Sequence, residues 1–353
     1  LSDAAFFWRK DRAQPLAARL PRLGDMVFER RLGTLLDKTR RIASLAAWLA
    51  PSFAADAAIA RRAAELSRCD LLSEMVGEFP ELQGTMGAHY AAHDGEPAAV
   101  VTALGEFYQP RFAGDAIPAS AAGRATALAE KLDTLVGIFG IGSAPTGDKD
   151  PYALRRAALG ALRICIEGDA SLDLGAALTE AVRAYGEQIA AGTADAVFGF
   201  MLERARGYFT ERGTRADVVD AVLAVRPRSP RDLALRLAAV ESFLALPEAA
   251  ALAAANKRIG NLLKKSAQAD DGRVDPALLQ EPAERQLGTE LAALERVLAD
   301  TDIGADYGAW LNRLAALRDP VNAFFDAVLV MAEDPALRDN RLRLLAQLQR
   351  LFL

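Results

Sequence analysis

The chain predicts an all-α fold, and three observations carry that expectation. Alanine and leucine are abundant, apolar residues recur at spacings of three and four, and convincing apolar–polar alternation of the strand type is absent. Taken in order, the first clear helical face runs through Leu32, Leu35, Leu36, Ile42, Leu45 and Ala46 and is stopped at Pro51. Further breaks stand at Gly84–Gly87, Gly95–Pro97 and Pro110–Pro118. A stretch rich in glycine and proline, Gly140-Ile-Gly-Ser-Ala-Pro-Thr-Gly-Asp-Lys-Asp-Pro151, then separates two strongly helical segments. Asp150-Pro151 reads as a helix start with proline in the first turn. The helix beyond it carries Leu154, Ala157, Ala158, Ala161, Leu162 and Cys165 and breaks at Gly168. Gly213, Pro227–Pro230, Asp270–Pro276 and Gly304 divide the remainder, leaving segments of roughly 12 to 25 residues, a usual helix length.

At 353 residues the chain has room for about two domains, and the glycine-rich stretch sets the expected boundary: residues 1–147 and 148–353. A hydrophobic content of 52%, with 25% charged residues, excludes disordered and collagen-like classes. Two distant cysteines, Cys69 and Cys165, exclude a disulfide scaffold and a cysteine zinc site. No run approaches the ~20 apolar residues needed to span a bilayer, since Pro51, Ser52 and Asp56 interrupt the most apolar stretch. The N-terminus lacks a signal-peptide layout. A cytoplasmic, reducing setting with no membrane partner is expected. The start at Leu1 and the end at Leu351-Phe-Leu353 are expected to belong to a longer chain.

Both histidines fall in Gly87-Ala-His-Tyr-Ala-Ala-His-Asp-Gly-Glu96. Residues four apart share a helix face, so His89 and His93 could ligate one metal, with Asp94 beside them. Phosphohydrolases of the HD type use an upstream His, a His-Asp pair and a downstream Asp for this purpose, and Asp133 would suit the last role. No histidine precedes His89, and the pair runs directly into Gly95. His89, His93, Asp94 and Asp133 are therefore expected to be vestigial ligands of a metal-free site. Thr146-Gly-Asp-Lys-Asp-Pro lacks the spacing of a phosphate loop. Lys149, Arg155 and Arg156 after it could still touch a polyanion.

The chain carries a net charge of −5, yet between Arg226 and Lys265 eight basic residues stand against three acidic ones. On a helix, Lys257, Asn261, Lys264 and Lys265 fall near one face with Arg258 at its edge. Cations interleaved with amides suit RNA phosphates and base edges, and a solvated helix face is the plainer reading.

Longer stretches carry a family resemblance. Arg30-Arg-Leu-Gly-Thr-Leu-Leu-Asp-Lys-Thr-Arg-Arg-Ile, Met75-Val-Gly-Glu-Phe-Pro-Glu-Leu-Gln-Gly-Thr-Met-Gly, His93-Asp-Gly-Glu, Tyr108-Gln-Pro-Arg-Phe-Ala-Gly-Asp, Lys131-Leu-Asp-Thr-Leu-Val-Gly-Ile-Phe-Gly-Ile-Gly and Asp148-Lys-Asp-Pro-Tyr-Ala-Leu-Arg-Arg are the first. Ala253-Ala-Ala-Asn-Lys-Arg-Ile-Gly-Asn-Leu-Leu-Lys-Lys, Asp319-Pro-Val-Asn-Ala-Phe-Phe-Asp and Asn340-Arg-Leu follow. Together they resemble the β-subunit family of the bacterial tetrameric glycyl-tRNA synthetase, over essentially the whole chain. The resemblance implies a degenerate HD-type helical domain, then an anticodon-binding domain like that of arginyl-tRNA synthetases, with further N-terminal domains in the full family subunit.

It also implies a tRNA-recognising, non-catalytic role within an α2β2 glycine–tRNA ligase. The α partner would hold the class II core, with ATP and Mg there and no cofactor in this chain. The implied partners are tRNA(Gly) and the α subunit, not DNA. Candidate RNA contacts are Asn256, Lys257, Arg258 and Asn261, with Lys264 and Lys265 for phosphates and Arg341 on the last helix. Phe324 and Phe325 lie in an apolar run and are expected in the core.

Overall fold

A computed structural model describes residues 2–265, 272–300 and 306–351. Its chain divides into two compact units, Leu1–Ala234 and Leu235–Leu353. Helix dominates both. The first unit contains α1 (Ser2–Asp11), α2 (Leu35–Leu49), α3 (Ala57–Leu66), α4 (Glu74–Glu78), α5 (Thr85–His93), α6 (Ala98–Glu106), α7 (Ala121–Gly140), α8 (Leu154–Glu167), α9 (Leu174–Arg183), α10 (Thr193–Glu211) and α11 (Ala216–Ala224). After α12 (Pro230–Leu244), the second unit contains α13 (Pro247–Lys265), α14 (Pro282–Asp300), α15 (Tyr307–Ala315), α16 (Arg318–Ala327) and α17 (Pro335–Arg350).

One feature departs from an all-helical reading. A short antiparallel hairpin pairs β1 (Val27–Glu29) with β2 (Gly33–Thr34) just ahead of α2. The hairpin hands the chain to α2 through a reciprocal cap. The Asp37 amide donates to Thr34 Oγ1 at 3.2 Å, and the Thr34 amide donates to Asp37 Oδ2 at 2.9 Å. Gly33 sits at φ +90°, where a Cβ would lie 2.6 Å from the capping carboxylate, so glycine is required there.

α7 is the axis of the first unit. It is buried along nearly its whole length and packs against α2, α3, α6, α8, α9 and α10, burying Lys131 and Asp133 together with its apolar residues. This packing overturns the expected boundary at 147/148. The apolar face of α8, through Leu154, Ala158, Ala161, Leu162 and Cys165, is buried against α7. The glycine-rich stretch is thus a turn inside one unit, and the division falls at 234/235 instead. Asp11 fixes the N-terminal helix by accepting from the Glu74 and Met75 amides at 2.9 and 3.0 Å and from the Tyr90 hydroxyl at 2.8 Å.

In the second unit Leu252, Ile259, Leu287, Leu291, Phe324, Leu342, Leu345 and Leu348 form the core. Asn340, fully buried, clasps the backbone of Asp275: its Oδ1 accepts from the amide at 2.7 Å and its Nδ2 donates to the carbonyl at 3.0 Å. Of the break expected at Asp270–Pro276, residues 270 and 271 lie outside the described residues. Among the described residues no single helix is long and apolar enough to cross a membrane.

Candidate nucleic-acid interface

Ile259 and Leu252 turn one face of α13 into the core, at 0% and 2% exposure, and the helical period then delivers Lys257, Arg258, Asn261 and Lys264 to the exposed side. Ala254, Lys257, Arg258, Asn261 and Leu262 line a surface cavity of about 310 Å³. The Arg258 guanidinium lies 4.1 Å from the centre of the Phe325 ring, a cation–π contact within the unit. Asn256 is half-buried, and its Oδ1 has no hydrogen-bond partner among the described residues. The side chain of Lys265 lies outside the described residues.

Charge pairing separates this helix from the rest of the basic stretch. Arg226, Arg228 and Arg231 are taken up by Asp195, Asp173 and Asp169, the first two at 2.8 Å. Arg236 stacks over Tyr307 at 4.7 Å. Lys257, Arg258 and Lys264 have no carboxylate partner among the described residues. The only acidic residue of α13, Glu248, pairs with Arg318 at 3.2 Å. An exposed cationic face left unneutralised within its own unit attracts an external polyanion and is screened by salt.

A second basic surface in the same unit escaped sequence reasoning. Arg273, Arg285, Arg296 and Arg350, with Thr289 and Gln347, line a cavity of about 840 Å³. Their sequence separations hide them, because only the packing of α14 and α17 brings them to one groove. No local pattern announces the cluster.

Two expectations are corrected by the packing. Arg341 is 6% exposed; its Nε donates to Glu284 Oε1 and its Nη1 to the Leu329 carbonyl at 2.9 Å. Glu284 is fully buried and also accepts from the Gln280 and Glu281 amides at 2.6 and 3.0 Å. Arg341 therefore holds α14 to α17 and does not face a ligand. Phe324 is buried as expected, whereas Phe325 is only partly so and serves as the seat for Arg258.

The four possible ligands of an HD-type site are not assembled either. His93 Nδ1 lies 2.9 Å from the Arg12 guanidinium, Asp94 Oδ2 accepts from the Leu16 amide at 2.6 Å, and His89 meets the edge of Trp8 at 6.4 Å. Asp133 is elsewhere occupied, accepting from Lys38 Nζ at 2.9 Å and Arg41 Nε at 2.8 Å. Burial opposes its ionisation, yet Lys38 and Arg41 outweigh that and hold its carboxyl below the usual range. Among the described residues no group of three or more His, Cys, Asp and Glu side chains could hold a metal ion. The residues present do not fit a metal centre, because cations stand where ligands to one would be needed.

Comparison with known proteins agrees with this division of the chain. The family model described as glycyl-tRNA synthetase beta subunit matches residues 1–224, and that of the DALR anticodon binding domain matches residues 252–352. The chain is 52% identical to the glycine–tRNA ligase beta subunit of Sodalis glossinidius over 357 residues, covering 100% of this chain and 51% of the relative. The beta subunits of Serratia proteamaculans and Aeromonas hydrophila match at 52% over 354 residues with the same coverage. The chain thus spans about half the length of these relatives. With a helical first unit matched along most of its length and a second unit matched by the DALR model after it, the chain belongs to the glycyl-tRNA synthetase beta subunit family.

Proposed function

We propose that this chain is the tRNA-recognising portion of a glycine–tRNA ligase, which joins glycine to tRNA(Gly) with conversion of ATP to AMP and diphosphate. The observation that carries the reading is the unpaired face of α13, on which Lys257, Arg258 and Lys264 stand without carboxylate partners among the described residues. Lys257 and Lys264 meet the phosphates of the anticodon arm. Asn261 offers its amide group, and Asn256 its Nδ2 alone, to base edges, and the Arg258 guanidinium, seated over Phe325, offers its plane to an unstacked base. The arginines of the larger groove, Arg273, Arg285, Arg296 and Arg350, extend the track for the RNA backbone.

The adenylating step belongs to a separate α partner within an α2β2 assembly, where ATP and Mg bind, and the setting is cytoplasmic. A gel shift with tRNA(Gly), against an unrelated tRNA and a DNA duplex of equal length, tests the reading. Selective retention of tRNA(Gly), abolished in the Lys257→Ala/Arg258→Ala variant, is the expected outcome. Equal affinity for all three nucleic acids would defeat it. A role as an HD-type phosphohydrolase is disfavoured by the scattered His89, His93, Asp94 and Asp133.

A further inference from the structure

Lys131, on α7, is 5% exposed. Its stem lies against α8 at Gly160, where a Cβ would come within 2.7 Å of Lys131 Cε, so glycine there makes room for the lysine. The other buried cations are partnered: Arg19 with Asp11, Lys38 and Arg41 with Asp133, Arg68 with Glu130, Arg163 with Glu167, and Arg341 with Glu284. Lys131 Nζ has no hydrogen-bond or ion-pair partner among the described residues. Burial pushes its pKa down, against the pull of Glu130 and Asp115. The Nζ atom is not among the partnerless polar atoms shut off from solvent, so the stem is buried while the ammonium itself opens onto the neighbouring cavity, where an acceptor can reach it.

The amine borders a cavity of about 540 Å³, within the size range of small-ligand sites. Arg111 and Arg156 line the same cavity. Arg111 gives its Nε to Asp115 at 3.0 Å, and Arg156 is exposed with no carboxylate partner among the described residues. Two carboxylates also reach the cavity, Glu81 and Glu130. Glu130 is already held by Arg68 at 2.8 Å and Lys38 at 3.5 Å, so it does not satisfy the lysine. Tyr152, 39% exposed, adds an aromatic surface to the wall.

We propose that this cavity binds a nucleoside bearing a terminal phosphate, the phosphate accepting from Lys131 Nζ and the Arg156 and Arg111 guanidiniums, and the base lying against Tyr152. Three cations on the wall of one cavity suit the three oxygens of a phosphate monoester better than a carboxylate, and bidentate guanidinium hydrogen bonds favour it further. The nucleoside phosphate is either a free mononucleotide or the 5′-terminal nucleotide of an RNA. The site lies wholly in the first unit and does not rest on the reading of α13.

The test is calorimetric titration of this chain with AMP, adenosine, and a short RNA with and without a 5′-phosphate. AMP is expected to bind at least about tenfold tighter than adenosine, a charge-assisted hydrogen bond being of that order. Lys131→Met is expected to weaken AMP binding about tenfold or more without lowering the melting temperature, because the apolar stem is kept and the ammonium makes no hydrogen bond or ion pair within the described residues. Arg156→Gln, an exposed change that spares the fold, should weaken it several-fold. Binding of only the 5′-phosphorylated RNA, with the same dependence on Lys131 and Arg156, assigns the site to an RNA terminus. Absence of binding by AMP and phosphorylated RNA at millimolar concentration overturns the proposal. So does binding that Lys131→Met and Arg156→Gln leave unchanged. Lys257→Ala/Arg258→Ala should leave AMP affinity intact, which separates this site from the one on α13.

Discussion

Lys38 and Asp133 form a buried ion pair, with the ammonium 2.9 Å from the carboxylate and side chains 3% and 2% exposed. Arg41 completes the site from the next turn of α2, donating to the other carboxylate oxygen and lying 3.9 Å from the Tyr185 ring centre. The Tyr185 hydroxyl in turn donates to the Asp133 carbonyl at 2.9 Å. The network ties α2 to α7 in place of a metal centre. Removing Lys38 leaves Asp133 to Arg41 alone and Glu130 to Arg68, each buried carboxylate keeping one cation, so Lys38→Met should cost about 1–3 kcal/mol in urea denaturation. A cost below about 1 kcal/mol would show the pair to be dispensable.

The same cluster sets an acid limit to stability. Against the cost of burial, Lys38 and Arg68 hold Glu130 down to about 2, and Asp133 is held below its usual range in the same way. Folded-state pKa values depressed below the unfolded ones give stability that is full above about pH 4.5 and disappears as pH falls toward 2. Asp70 has the opposite sign. Burial raises its carboxyl to about 6, even though it accepts from the Gly84 and Gly87 amides at 2.6 and 3.0 Å. The native state then binds the extra proton between about pH 4 and 6, so this residue makes stability fall as pH rises through that window. Asp70→Asn should abolish that falling limb and leave the loss below pH 4 in place, as followed by melting temperature against pH.

The His93–Asp94 corner makes a contrasting prediction. Asp94 accepts from the Leu16 amide, whereas His93 meets Arg12 at an exposed position. Asp94→Ala should cost about 1 kcal/mol and His93→Ala less than about 0.5 kcal/mol. Dialysis against a chelator should leave the melting temperature unmoved. A drop of about 2 °C or more that added zinc or manganese restores would place a metal here after all.

Arg341 shows where sequence reading stops. Its position on a basic last helix suggests RNA, but its partner Glu284 lies 57 residues upstream, and only the docking of α14 on α17 brings them together. The same limit explains the groove of Arg273, Arg285, Arg296 and Arg350, which no window of sequence contains. Local periodicity is legible: the face through Leu154, Ala158, Ala161, Leu162 and Cys165 is the buried face of α8. What periodicity cannot reveal is the partner of that face, and so the turn at 140–151 reads as a domain boundary. Charge counting fails similarly for Arg226, Arg228 and Arg231, whose acidic partners lie 31 to 62 residues away.

Arg341→Ala should destabilise the second unit by about 3–5 kcal/mol, because Glu284 would remain buried without its cation. At a temperature where the variant is still folded, its tRNA affinity should equal that of the parent chain. Reduced affinity in fully folded protein would return Arg341 to the interface.

The exposed face of α13 makes the most direct prediction about RNA. Lys257→Ala with Arg258→Ala removes two charges that have no carboxylate partner among the described residues, so folding stability should change by less than about 0.5 kcal/mol per position, aside from the packing of Arg258 on Phe325. If both meet phosphates, the slope of log affinity against log salt should fall by about 0.7–0.9 for each phosphate left without its cation. Asn261→Ala changes no charge and should leave the slope intact. If its amide reads a base edge, it should cost about 1–3 kcal/mol and relax discrimination at one anticodon position. Asn256 adds a stability readout, since its buried Oδ1 has no partner among the described residues and Asn256→Ala should not destabilise the unit. Arg226→Ala with Arg228→Ala is the control: it removes the same charge from the same basic stretch, but from residues already neutralised by Asp195 and Asp173. That pair should shift the salt slope far less than the α13 pair. Equal slopes for the two double variants would mean that net charge, rather than the unpaired face of α13, attracts the RNA.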